Sequence, residues 1–314
     1  MTNVDLSVRQ ARAVTPRQRE WKKTLLGLAF ISPWLLGFLW LTLYPLVASL
    51  YYGFTEYAIL TAPKWVGLEN FITMFTKDKL FWTSVVNTLY FVAISVPLGT
   101  LLSILLALLL NAKVRGMSIY RTIYYFPTVV PVIAGVMLWA WILNPQVGPL
   151  NYMLGLLHIP GPGWLADPYW SKPALIILSL WGLGGATVIY LAGLQDIPVH
   201  LYEAAELDGA NGLQKILFVT IPLLTPVILF NVIMGLIGGF QYFAQAFLGS
   251  AIGAGGMGAP MNSTLFYNLY LYRNAFGYFQ MGYASAMAWV LLVFVLLLTL
   301  LIFKLTGRFV YYGR

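Results

Sequence analysis

The sequence predicts an all-α membrane protein with six transmembrane helices, and three observations carry that prediction. First, 60% of the 314 residues are hydrophobic and only 9% are charged, against about 45–50% and about 25% in an ordinary soluble domain. A water-soluble chain of this size must keep a polar surface, and this composition cannot supply one. Second, the chain contains six uncharged runs, each long enough for a hydrocarbon core that takes about 20 apolar residues. Third, its basic residues segregate to one set of connecting segments. A membrane β-barrel would need alternating segments of about ten residues, and these runs are longer and uniformly apolar. Helices satisfy their own backbone in lipid, so they are the spanning element.

The six runs extend over residues 24–50, 83–110, 122–143, 174–194, 223–247 and 282–303. The first follows a basic stretch, as a secretory signal does. However, it is far longer than the core of a signal, about 7–15 residues, and reads as a retained first helix. Pro33 and Pro45 within it are tolerable in a membrane helix. With both termini in the cytoplasm, segments 1–23, 111–121, 195–222 and 304–314 hold 13 of the 18 Lys and Arg. The excess of positive charge on the cytoplasmic side favours that orientation. The net charge of +8 then reads as orientation and attraction to anionic lipid, with no nucleic acid implied. The organisation is a cytoplasmic tail (1–23), a six-helix transmembrane domain (24–304) and a second tail (305–314).

Several activities are disfavoured. The chain has no cysteine, which excludes disulfides and thiolate metal sites. His158 and His200 are far apart, in connecting segments, and form no catalytic or metal set. Proton- and ion-coupled carriers keep ionisable groups inside their spans, and none occurs here. The spans carry neutral polar and aromatic groups instead, among them Asn87, Ser103, Ser179, Trp181, Asn231, Gln241, Tyr242 and Gln245. Such groups suit a hydroxyl-rich neutral ligand, and equally suit bonding between helices. The glycine-rich stretch GSAIGAGGMGAP at 249–260 lacks the Lys-Ser or Lys-Thr of a phosphate loop and reads as a flexible external loop.

The strongest local signal lies between the fourth and fifth runs, in residues 196–222. Asp196 can cap a helix, Pro198 suits a first turn, and Gly209 is placed to end it. A second short helix is expected over 212–218, with Pro222 at the entry to the next span. Four acidic residues (Asp196, Glu203, Glu206, Asp208) stand against Lys215 alone. A short acidic helix on an otherwise basic side reads as a docking surface for a partner.

Residues 203–222 resemble the EAA loop of ABC importer permeases: Glu203-Ala204-Ala205, three residues, Gly209, nine residues, then Val219-Thr220-Ile221-Pro222. The stretches RTIYYFPTVVP (121–131), QYFAQAF (241–247) and GYASAMAW (282–289) are similar to the carbohydrate-uptake, maltose-type branch, in its compact six-helix form. The resemblance implies a type I importer permease in a prokaryotic cell membrane. The implied partners are a homologous second permease, two copies of a cytoplasmic ABC ATPase and an extracytoplasmic sugar-binding protein. It implies no cofactor in this chain, with ATP and Mg bound by the partner ATPase. It assigns ATPase coupling to Glu203, Ala204, Ala205, Asp208, Gly209 and Pro222. The substrate path would draw on the spans flanking the loop, through Trp181, Gly185, Gly235, Gly239, Gln241 and Tyr242. Di- or oligosaccharides are the expected substrates, and a glycerol phosphate-type polyol is the alternative. A secondary carrier or channel would leave the acidic loop unexplained, and a membrane enzyme would need a catalytic cluster that is not evident.

Overall fold

The computed structural model describes residues 16–112 and 114–307. Residues 1–15 and 308–314 of the expected tails, and Lys113 of the basic set, lie outside the described residues. The chain divides into two units after Tyr51.

The first unit is helical from Pro16 onward, so the helix starts inside the expected tail. Helix α1 (Pro16–Phe38) is followed by a π-turn at Leu39–Leu43 and by α2 (Tyr44–Gly53). The π-turn closes with the Tyr44 amide on the Leu39 carbonyl, one residue before Pro45. Widening the helix there accommodates the proline, which has no N–H to continue the ladder. The apolar side chains of this segment are largely exposed, as lipid contact requires.

The second unit begins with a small antiparallel pair, β1 (Thr55–Glu56) with β2 (Lys64–Trp65), and α3 (Glu69–Thr76). Helix α4 (Lys79–Leu110) is the second span and the centre of the bundle. It packs against α8 (Ser171–Leu180), α9 (Gly184–Gln195), α12 (Ile221–Phe240) and α14 (Tyr267–Tyr272). Asp78 caps α4: its Oδ1 accepts from the amides of Leu80 and Phe81, at 2.9 and 3.1 Å. The other oxygen accepts from the hydroxyls of Tyr270 and Tyr283, each at 2.6 Å. One carboxylate therefore fixes the starts of α4 and α15 (Met281–Thr306) against α14. The close approach of α15 to β1 requires Gly282, because a Cβ there would lie 2.0 Å from the Thr55 carbonyl oxygen.

Among the described residues four helices are long and apolar enough to cross a membrane, and two bent helix pairs bring the number to six where each pair is one span. The third run is α5 (Met117–Tyr125), a 3-10 turn, and α6 (Val132–Ile142), bent by 100°. The break falls at Val130-Pro131. Val130 is extended (ψ 128°), as a residue before proline prefers, and Pro131 cannot donate to the turn before it. The fourth run bends by 45° between α8 and α9, at the Trp181–Leu183 turn containing Gly182. Between these runs stand α7 (Pro149–Leu156) and a 3-10 turn at Trp164–Ala166.

The fifth run also differs. Its helix is continuous from Gly212 to Phe240, so the short helix expected at 212–218 is the start of the span, and Pro222 marks no entry. A π-turn at Ile216–Thr220, closed by the Ile221 amide on the Ile216 carbonyl, precedes Pro222. It is the same device as before Pro45. At Pro226 the Thr225 hydroxyl donates to the Pro222 carbonyl at 2.6 Å, partnering the group that proline leaves open. The span ends at Phe240, before the expected 247, and α13 (Ala244–Ala254) follows. Residues 249–254 are thus helix, and the flexible loop expected over 249–260 is corrected. Gly253 lies against Leu165 there, and Ser250 accepts from the Gly258 amide.

Two apolar cores divide the bundle. One is aromatic and includes Phe81, Phe91, Phe240, Tyr242, Phe266 and Tyr267. The other, nearer residues 196–222, includes Ile104, Ala107, Tyr190, Leu194 and Leu224. At the far end of the first, Asn87 donates through Nδ2 to the carbonyls of Asn262 (2.8 Å) and Leu265 (3.1 Å). Its Oδ1 accepts from Lys172 Nζ at 3.1 Å. Asn87→Leu keeps the branched shape and withdraws all three bonds, at a cost of about 1–3 kcal/mol. We expect a lower thermal midpoint in detergent; an unchanged midpoint contradicts this role.

Candidate functional site

The segment between the fourth and fifth spans folds around a short helix, α10 (Val199–Leu207). Pro198 takes the N-cap position with extended ψ. Asp196 instead ends α9, which corrects its expected role as the cap. At the other end Gly209 has φ +80°. Its amide donates to the Glu206 carbonyl at 3.0 Å, and the Ala210 amide donates to Ala205 at 2.9 Å. These paired bonds form a Schellman motif, which needs a left-handed residue at that position. Asn211 then starts the next helix, α11 (Gly212–Lys215), with a reciprocal capping box to Gln214.

Helix α10 stands on the bundle by one side. Leu201 and Tyr202 pack against the second core, and the Tyr202 hydroxyl lies 3.0 Å from Thr220 Oγ1. Glu203, Ala204, Asp208 and Gly209 are exposed on the other side, with Ala205 half-buried. Leu207 is 89% exposed and Phe218 75%. A notch of about 230 Å³ opens among Ala205, Asp208, Gly209, Gln214 and Phe218. Glu206 bonds Lys215 at 2.8 Å, and that hydrogen bond and charge hold its carboxyl below the usual carboxylate range. Glu203 has no ion-pair partner among the described residues. The result is an apolar and acidic surface built on rigid caps. Arg121 clamps the neighbouring corner by donating twice to the Leu110 carbonyl, at 3.2 and 2.9 Å.

Between the two cores lies a cavity of about 390 Å³. Helix α4 contributes Phe91, Ser95, Gly99 and Ser103, four residues apart along one stripe. Helix α12 contributes Asn231, Gly235, Gly238 and Gly239, and Tyr242 continues that stripe. From the fourth span come Gly182, Ala186 and Tyr190. No Asp, Glu, Lys, Arg or His lines it. The far end is closed by aromatic rings: Phe91 lies 4.2 Å from Tyr242 and 5.4 Å from Phe266, centroid to centroid. At the end nearer α10, Ser103 Oγ and Tyr190 OH are buried and have no hydrogen-bond partner. A buried unpaired hydroxyl costs about 1–3 kcal/mol.

Of the path residues expected from the sequence, Gly235, Gly239 and Tyr242 line this cavity, and Trp181, Gly185 and Gln241 do not. Trp181 packs edge-on to Trp139 and against Gly135. Gln241 is exposed past the end of α12. Gly238, Thr100, Ser103 and Tyr190 were not singled out as path residues. Their signal is positional: residues 231, 235, 238, 239 and 242 follow helical spacing, a stripe that excludes 241.

Apolar spans around an uncharged central cavity, with a capped helix projecting between the fourth and fifth, define a multi-pass membrane transport protein. The chain belongs to the family of binding-protein-dependent transport system inner membrane components, which matches residues 99–310. It is 43% identical over 293 residues to the probable ABC transporter permease protein YesP of Bacillus subtilis (strain 168), covering 93% of each chain. It is 33% identical over 282 residues to the lactose transport system permease protein LacF of Rhizobium radiobacter, covering 88% of this chain and 92% of that one. Among solved structures, it superposes on a chain of the bacterial alginate ABC transporter in complex with alginate pentasaccharide-bound periplasmic protein. The TM-score is 0.80 at 25% identity, over 92% of this chain and 96% of that chain. The fold class and the multi-pass membrane location expected from the sequence hold.

Proposed function

We infer that this chain is one of two permeases forming the path of an ABC importer for a neutral di- or oligosaccharide. The observation that carries the substrate class is the cavity, lined by hydroxyl, amide, glycine and aromatic groups and by no charged side chain. Sugars take hydrogen bonds on their edges and ring stacking on their faces. A glycerol phosphate-type polyol would need a cation, and none lines the cavity. Lys172, at the outer end of α8, is engaged with Asn87. The named substrates of relatives, lactose in one and alginate in the other, make a saccharide the natural class.

The remaining parts follow from the acidic helix. Glu203, Ala204, Ala205, Asp208 and Gly209 present α10 to a cytoplasmic ATPase, and Pro222 lies in the continuous helix that leads from it to the cavity. Two ATPase copies bind ATP and Mg, since this sequence carries no phosphate-loop motif. Their closure acts on the cavity only through contacts that differ between its states. An extracytoplasmic binding protein delivers the saccharide to the opposite side. Both termini lie in the cytoplasm, in keeping with the basic residues.

The test is uptake into vesicles carrying the complete transporter, with lactose and an alginate oligosaccharide as probes and their loaded binding proteins outside. Uptake of the neutral sugar with exclusion of the uronate oligomer is the expected result. Selective uptake of the uronate oligomer would overturn the neutral class.

A further inference from the structure

Six hydroxyls of the described spans make a bond that Ser103 lacks. Ser84, Thr88, Ser179, Thr187, Thr225 and Thr299 each donate to a carbonyl of their own helix, three or four residues back, at 2.6–2.9 Å. That bond is the ordinary refuge of a hydroxyl in an apolar helix. Ser103, fully buried, makes no such bond. Tyr190 is also fully buried, its ring set in the second core among Ile104, Leu194 and Leu224. Its hydroxyl emerges at the border of that core and is likewise unpartnered. Thr100 is the polar side chain beside it. All three residues line the same end of the cavity, on the facing helices α4 and α9.

We propose that Ser103, Thr100 and Tyr190 form a second saccharide station at the α10 end of the cavity, taking sugar hydroxyls as the ligand leaves the aromatic end. The station rests on the transport reading above and deepens it. In the present arrangement the Ser103 and Tyr190 hydroxyls are buried and unpaired, and Thr100 stands half-buried beside them. Parting of α4 and α9 would open it and give each hydroxyl a partner on the sugar, which can both donate and accept. The state with the station filled is therefore favoured over the present state by contacts the present state lacks. Such contacts tie passage of the ligand to movement of the helices adjoining α10.

The chain has no cysteine, so Ser103→Cys places a single thiol in it. The complete transporter carrying this change, with companion cysteines replaced, is treated in lipid discs with a methanethiosulfonate reagent. The nucleotide-free state and the vanadate-trapped state are compared. We expect labelling in one state, at least about tenfold slower labelling in the other, and protection by the transported sugar. Separately, Tyr190→Phe keeps the ring in its core and removes only the hydroxyl. It should raise the KM for uptake about three- to tenfold, the weight of one hydrogen bond. A deoxy analogue lacking the paired hydroxyl should show the defect in the unaltered transporter and no further loss in Tyr190→Phe. A thiol inert in both states, or unaltered uptake by Tyr190→Phe, would overturn the station. If no loaded binding protein stimulates the unaltered ATPase, the transport reading falls instead, and state-dependent labelling still reports whether this end of the cavity opens.

Discussion

Replacing Gly209 with valine is expected to cut saccharide uptake at least about tenfold while ATP hydrolysis continues. A tenfold change needs only about 1.4 kcal/mol. Gly209 sits at φ +80° with open space where a Cβ would stand, so the effect is conformational and involves no clash. A β-branched residue in the left-handed region is a steric outlier, and the general penalty for L-residues there is about 1–2 kcal/mol. The Schellman bonds at Glu206 and Ala205 would open, and with them the fixed exit of α10. The helix would still stand on Tyr202 and Thr220, so assembly should survive. Uptake and ATPase rate, measured together on one vesicle preparation, separate uncoupling from loss of the complex. Coupled uptake at the normal rate would show that this turn transmits nothing.

The second large effect is expected at Gly238. Gly238→Leu should abolish uptake, leaving fold and stimulated ATPase in place. Nothing lies within 4 Å of a Cβ built at this residue, and the residue lines the cavity. A leucine there occupies space within about 390 Å³ and displaces the ligand, and it gains up to about 1 kcal/mol in helix propensity over glycine. At the next residue the same change behaves differently: a Cβ at Gly239 would come 2.9 Å from Val92 Cγ2. Gly239→Leu should therefore lower the thermal midpoint as well. Comparing the two variants separates a blocked path from a damaged core. Normal uptake by Gly238→Leu would place the path elsewhere.

These contrasts show how far residue order alone reached. The absence of charge from six runs is a local property of the chain, and it carried the fold class. Helix α10 was similarly legible, because Glu203-Ala204-Ala205 and the spacing to Gly209 are written consecutively. Its starting cap was not: Asp196 and Pro198 both suit a helix start, and the continuation of α9 to Gln195 decides between them. The bends at Val130-Pro131 and Trp181–Leu183 were hidden for another reason. A proline or glycine in a membrane helix can be absorbed, as at Pro45 and Pro222, or can break it, and the packing around it sets the outcome. The cavity was least legible. Trp181, Gln241 and Tyr242 each suit a sugar site by residue type, yet the turn that ends α12 leaves Gln241 exposed and places Tyr242 in the cavity wall. Ser103 was visible as a polar residue in a span. Only three-dimensional packing distinguishes it from the serines and threonines that bond their own helices.

The most direct test is the ATPase rate of the complete transporter in lipid discs, this chain co-expressed with its companion permease and ATPase. Binding protein is added empty and then loaded with saccharide. The account predicts stimulation by the loaded protein, lost when Glu203 on the exposed side of α10 is changed to lysine. Failure of any ATPase to co-purify, together with a rate indifferent to every loaded binding protein, would contradict it.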